Sequence, residues 1–154
     1  MYNQILVAID GSEHSRKALR HAIELAQRLG SKITLIYVYS AVVPFAPVGD
    51  AFSAPTVTTP VSSTIATRIT EDAKKLGAKI LDEAEQTVKE NNVIVEKLLM
   101  EGDTVKEIVA EAAKGGYDLI VLGHRGMSKI SEILLGSVSE GVSHKARCPV
   151  LIVK

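Results

Sequence analysis

Three short stretches carry the side chains and glycines from which a binding site could be built. AIDGS places Asp10 directly after an apolar run, VLGHRG carries Gly123 and Gly126 three residues apart, and GSVS holds Gly136, Ser137, Val138 and Ser139. Glycines lack a Cβ, so the backbone at 123 and 126 can turn sharply and approach a ligand closely. The first N–H groups of a helix have no partners and its dipole adds partial positive charge, so a helix opening at Gly136-Ser137 favours phosphate. The hydroxyls of Ser137 and Ser139 can add donors. Asp10 is an acceptor-only carboxylate, suited to ribose hydroxyls or to a divalent ion held through water. Singly, each has a plainer explanation: a turn glycine, an ordinary N-cap, a common βα-turn residue. Convergence on one crevice is what would make them a site.

Several nucleotide-handling patterns do not fit. Neither glycine pair leads into Gly-Lys-Ser/Thr, so the lysine of a P-loop is missing. GHRGMS is not G-x-G-x-x-G, which argues against a dinucleotide. AIDGSEHS only faintly echoes the Ser-Gly-Gly-x-Asp-Ser loop of ATP pyrophosphatases, and the His-x-Gly-His of nucleotidyltransferases is absent. Hydrolysis of ATP needs a water-orienting base and charge stabilisation at the γ-phosphate. Arg125 and a metal can stabilise charge, but no base stands beside the glycines. Holding without turnover, or very slow hydrolysis, is the expectation. His14, His21 and His144 read as solvated helix positions without metal-ligand spacing. His124 has no assigned role, although an imidazole beside phosphates would titrate near neutrality. Cys148 reads as a small buried residue ahead of the last strand.

The apolar pattern lays out the strands and helices around these residues. ILVAI (5–9) is a continuous apolar run, as in a strand buried on both faces. Ser12 can cap a helix over 13–29 closed by Gly30, with Leu19, Ala22, Ile23, Ala26 and Leu29 on one face. KITLIYVYS (32–40) is a second strand. Residues 41–64 hold four of the five prolines among Ser, Thr and Ala, and read as a long irregular insertion. Apolar residues at Ile65, Ile69, Ala73, Leu76, Ile80, Ala84 and Val88 mark a long amphipathic helix to about residue 91. NVIVEKLLME (92–101) is a strand, Asp103 caps a helix ending at Gly115-Gly116, and YDLIVLG is a fourth strand. GSVSEGVSHKA then forms a short helix and PVLIVK (149–154) a last strand.

Strands alternating with helices, with Val/Ile/Leu-rich strand cores, predict one α/β domain: a Rossmann-like, doubly wound, open parallel five-stranded sheet with helices on both faces. With strand order 3-2-1-4-5, strands one and four flank the switch point, where ligands bind outside the carboxyl ends. Asp10 and the glycine loop would then face one crevice.

Bulk composition excludes other classes. A chain of 154 residues is one domain by length, large enough to need no staple. Lys+Arg and Asp+Glu are both 18, so the net charge is zero and a duplex-binding surface is not expected. No apolar stretch reaches the ~20 residues that span a bilayer. The N-terminus lacks a basic n-region, and the one cysteine, Cys148, cannot form an internal disulfide. A cytoplasmic domain is the expectation.

Gly123-x2-Gly126-x9-Gly136-Ser137 matches the G-x2-G-x9-G-[ST] signature of ATP-binding universal stress proteins. The resemblance covers nearly the whole chain, from ILVAIDGSEHSRKALRHAIELA to the Cys148-Pro149 before the final strand. It implies that Ala8, Ile9 and Asp10 line the nucleoside, with the carboxylate on the ribose. It also implies that Val38 reads the adenine edge through its backbone and that Leu122 and Gly123 sit by the adenosine. Arg125 and Gly126 would lie along the phosphates, and Gly136, Ser137, Val138 and Ser139 would cradle the phosphate tail with Mg²⁺ or Mn²⁺. The resemblance further implies a stress-response sensor or regulatory module, and a homodimer through the last strand, whose exposed apolar edge invites association. Two other functions stay open at this point: a slow ATPase or phosphotransferase using the same site, and a nucleotide-free interaction module in which the glycines only shape turns.

Overall fold

A computed structural model of the chain describes residues 2–41, 63–126 and 135–154. Nine elements alternate along it: β1 (Gln4–Ala8), α1 (Glu13–Leu29), β2 (Lys32–Tyr39), α2 (Ser63–Glu90), β3 (Val95–Glu101), α3 (Thr104–Lys114), β4 (Leu119–Gly123), α4 (Ser137–Lys145) and β5 (Val150–Val153). The five strands form one parallel sheet in the order β3-β2-β1-β4-β5. β1 is central, pairing Ile5 with Ile33 of β2 on one side and with Leu119 of β4 on the other. The switch point therefore lies between β1 and β4.

Side-chain alternation divides the core into two layers. Ile5 and Val7 point to the face covered by α1 and α2, and pack with Leu19, Ile23, Leu81 and Val88. Leu6 points to the other face, with Ile36, Ile120 and Leu122, under Ile108 of α3 and Val142 of α4. Because both faces of β1 are covered, its sequence shows a continuous apolar run instead of alternation.

Helix ends follow the local chemistry. Ser12 caps α1, its hydroxyl accepting the Ser15 N–H at 3.1 Å. Gly30 closes that helix in the left-handed region at φ 70°, donating to the Ala26 carbonyl at 2.8 Å. Asp103 caps α3 by accepting the Lys106 N–H at 2.9 Å.

Three details depart from the sequence expectation. The strand expected from residue 92 begins at Val95, because Asn92 turns the chain at φ 57°. Leu29, the last residue of the first helix, is exposed. In α2, Ile65, Ile69 and Leu76 are also exposed, whereas Ala66, Gly77, Leu81, Ala84 and Val88 are buried. The buried stripe is rotated by about one residue along the first half of α2. The reason is Gly77: Tyr37 and Leu99 rest against its Cα, where a Cβ would lie 2.5 Å from the tyrosine ring. Small residues let the helix sit down on β2 and β3, and the larger apolar neighbours are turned outward. The irregular stretch expected over 41–64 ends sooner, since α2 starts at Ser63. Its remainder, residues 42–62, and positions 127–134 between Gly126 and Gly136 lie outside the described residues.

Candidate functional site

At the carboxyl end of β1 the chain leaves the sheet through Ile9, whose N–H donates to the Ile36 carbonyl at 3.0 Å. Asp10 follows, and its Oδ1 accepts the Ser12 N–H at 2.9 Å, which holds the carboxylate at the mouth of the switch point. Tyr37 of β2 stands nearby. Burial, and then the charge of Asp10, raise its hydroxyl pKa above the ordinary value. Across the switch point, β4 delivers Leu122 and Gly123, then His124, Arg125 and Gly126. The two halves of the glycine region are joined by hydrogen bonds. The Gly136 N–H donates to the His124 carbonyl at 2.8 Å, and the Ser139 hydroxyl donates to the Gly123 carbonyl at 2.7 Å.

A cleft of about 270 Å³ opens at this point. It is lined by Ala8, Ile9 and Asp10 from β1 and its exit, Val38 from β2, Leu122, Gly123, Arg125 and Gly126 from β4 and its loop, and Gly136, Ser137, Val138 and Ser139 from the start of α4. Every residue that the sequence pointed to is thus brought to one place. Five further lining residues were not anticipated: Ser15, Ile36, Tyr37, Thr104 and Ile108. Thr104 and Ile108 sit one turn apart on α3, directly after the carboxyl end of β3. The same switch-point reasoning, applied to β3, would have found them. With Ile36, Val38, Leu122 and Val138, Ile108 makes one side of the cleft apolar, while Asp10, Arg125 and the start of α4 make the other polar.

The start of α4 differs from those of α1 and α3. Gly136 is its N-cap, in extended conformation, and no side chain caps it. An α-helix begins with N–H groups that have no intrahelical acceptor. Those of Ser137, Val138 and Ser139 stand at the cleft with the dipole behind them. This arrangement can hold an oxyanion.

The individual residues correct some expectations. None of Gly123, Gly126 and Gly136 has a positive φ, so none is there to permit a left-handed turn. Gly123 is required by close packing: an added Cβ would lie 2.7 Å from the carbonyl carbon of His14 in α1. A Cβ at Gly126 would instead lie 2.5 Å from Oδ2 of Asp10. The Ser139 hydroxyl is buried and committed to the Gly123 carbonyl, so it is not a donor to a ligand. His14 is half-buried and not a fully solvated position. Its ring meets that of His124 edge-to-face, with centroids 4.4 Å apart and planes at 87°.

The sequence and the fold can be set beside those of known proteins. The model of the universal stress protein family matches residues 1–154. The chain belongs to the universal stress protein family. Among its relatives, universal stress protein YxiE of Bacillus subtilis is 38% identical over the full length of both chains. The solved structure of universal stress protein UspA from Lactobacillus plantarum has the same fold, with a TM-score of 0.83 at 22% identity, covering 99% of this chain and 98% of that one. A universal stress protein solved in complex with cAMP is similar at a TM-score of 0.68 and 26% identity, over 99% of this chain and 97% of that one. Within this universal stress protein fold, no helix among the described residues is long and apolar enough to cross a membrane.

Proposed function

We propose that this universal stress protein domain binds ATP in the switch-point cleft and acts as a nucleotide-dependent regulatory module. The observation that carries the reading is the uncapped start of α4, aimed into the same cleft as the Gly123–Gly126 loop. The polyphosphate lies along Arg125 and Gly126 and ends on the N–H groups of Ser137, Val138 and Ser139. Asp10 keeps Oδ2 for ribose hydroxyls, because Oδ1 is taken by the Ser12 N–H. The base lies on the apolar side, by Leu122 and Val138, with its edge at the Val38 backbone. The cAMP complex of a family member supports a nucleotide ligand.

Mg²⁺ or Mn²⁺ suits this site as a companion of the phosphates. The described residues contain no group of three or more His, Cys, Asp or Glu side chains that could hold a metal ion. Mg²⁺ commonly keeps several waters and takes phosphate oxygens as ligands. Bound there, it would neutralise phosphate charge.

The deciding experiment is mass analysis of nucleotide released from the denatured, purified protein, together with calorimetric titration of the emptied protein with ATP and Mg²⁺. Recovered ATP supports the proposal. Mostly ADP or AMP identifies a slow ATPase instead. A site that is empty and takes up no added ATP leaves an interaction module.

A homodimer through β5 belongs to the same reading. The Pro149 and Val153 carbonyls accept from Ile120 and His124, so strand alternation turns the N–H groups of Val150 and Ile152 away from β4. β5 is the sheet's edge, and an open apolar edge pairs readily with another chain. Ile152→Pro removes an outward N–H and no hydrogen bond to β4, while giving up the packing of the Ile152 side chain on the core, so it should give a less stable but folded monomer by sedimentation. A dimer that persists in that variant is held by another surface.

A further inference from the structure

The imidazole of His124 takes no part in the nucleotide contacts above, yet its residue is the joint of the clamp. Its carbonyl accepts the Gly136 N–H and its own N–H donates to the Val153 carbonyl, both at 2.8 Å. α4, β5 and the loop after β4 are therefore tied together at this one position. The ring rests against His14 of α1, and its Nδ1 is buried without a hydrogen-bond partner among the described residues. A neutral imidazole tolerates an unpartnered acceptor nitrogen there. An imidazolium has two N–H donors to satisfy and a charge to solvate.

The groups facing the ring from each packed element also disfavour charge. α1 presents His14, its own loop Arg125, and the end of β5 Lys154; only the Val153 carbonyl favours the cation. From α4 the Gly136 N–H reaches the residue's backbone carbonyl, an uncharged contact. Burial first, and then these neighbours, hold the His124 pKa below the usual histidine value.

We propose that His124, backed by His14, is a proton-binding site coupled to the phosphate cradle, so that the polyphosphate of a nucleotide binds together with a proton. The proposal rests on the ATP reading above. Phosphates along Arg125 place several negative charges beside the residue next to His124 and reverse the sign of the local field. A rise of about one pKa unit at His124 on binding corresponds to about tenfold tighter binding by the protonated form. Affinity therefore grows as pH falls through the interval between the bound and free midpoints, and weakens above it. By linkage, the same nucleotide loads the proton.

The test is an NMR titration of the imidazole resonances from about pH 5 to about pH 8, with and without Mg-ATP, following backbone amides of the glycine loop in the same samples. Reading the ring directly separates its proton from those of ATP itself. The expected result is a His124 midpoint raised by about one unit with ATP. Calorimetry in two buffers of different ionisation heat should then show proton uptake that His124→Asn abolishes. Amides at Gly123, Gly126 and Ser137 that shift with ATP while the imidazole midpoint stays put would overturn the coupling and leave ATP binding intact. Amides that never shift would overturn both. The wild-type titration decides the matter even where His124→Asn fails to fold.

Discussion

A methyl group added at Gly123 would meet the carbonyl carbon and oxygen of His14 at 2.7 and 2.9 Å, and backbone cannot swing aside. Gly123→Ala should push α1 off β4 and cost about 1–3 kcal/mol, read as a lower urea midpoint. At Gly126 the same methyl meets the far end of the Asp10 side chain. Gly126→Ala should therefore change stability by less than about 0.5 kcal/mol, while displacing the carboxylate assigned to the ribose and weakening ATP binding on the order of tenfold. Equal destabilisation by both variants would contradict this division. Ser139→Ala strands the buried Gly123 carbonyl without its 2.7 Å donor and should cost about 1–3 kcal/mol. These roles were illegible in the sequence, where the glycines form a single motif and both serines look like phosphate donors. Which atoms approach Gly123 depends on α1, more than a hundred residues earlier in the chain.

Among the elements, α2 shows where periodicity stops being informative. Its pattern Ile65, Ile69, Ala73, Leu76, Ile80, Ala84, Val88 is a sound helical stripe, yet the helix buries Ala66, Gly77 and Leu81 and leaves Ile65, Ile69 and Leu76 exposed. Leu81, at 2% exposure, should cost about 2–5 kcal/mol as alanine. Ile69, at 47%, should tolerate lysine within about 0.5 kcal/mol. Urea unfolding of the two variants checks the rotation; comparable losses would restore the stripe read from the sequence. The starts of α1, α3 and α4 make a complementary point. α1 and α3 carry side-chain caps worth about 1 kcal/mol each, while α4 forgoes one and keeps its N–H groups for the cleft.

For the molecule as a whole, stability should depend on pH through His124. Its folded pKa lies below the unfolded value, so the unfolded chain binds more protons in the interval between them. The contribution is complete above about pH 6.5 and is lost as pH falls toward the folded value. The urea midpoint of the ligand-free protein should thus be lower at about pH 5.5 than at about pH 7.5, and His124→Asn should flatten that difference. A slope unchanged in the variant would assign it elsewhere. Asp118 acts in a lower window. Its carboxylate accepts the Asn3 and Gln4 N–H groups, which depress its pKa and tie the start of β1 to the turn before β4. That support is present above about pH 3.9 and fades as pH falls through the folded value.

Residue order alone was enough for the succession of elements, the Ser12 and Asp103 caps, the parallel sheet and its switch point. These depend on local propensity and on burial of strands on both faces, which leave one-dimensional patterns such as ILVAI followed by DGS. From the switch point it also brought Asp10, Gly123 and the start of α4 to one cleft. Packing in three dimensions was needed to see that Gly123 accommodates α1, that Gly77 lets α2 sit against Tyr37 and Leu99, and that Thr104 and Ile108 complete the cleft. It alone set His14 against His124. Such pairings depend on which atoms of distant segments come within a few ångströms, and no spacing along the chain records that.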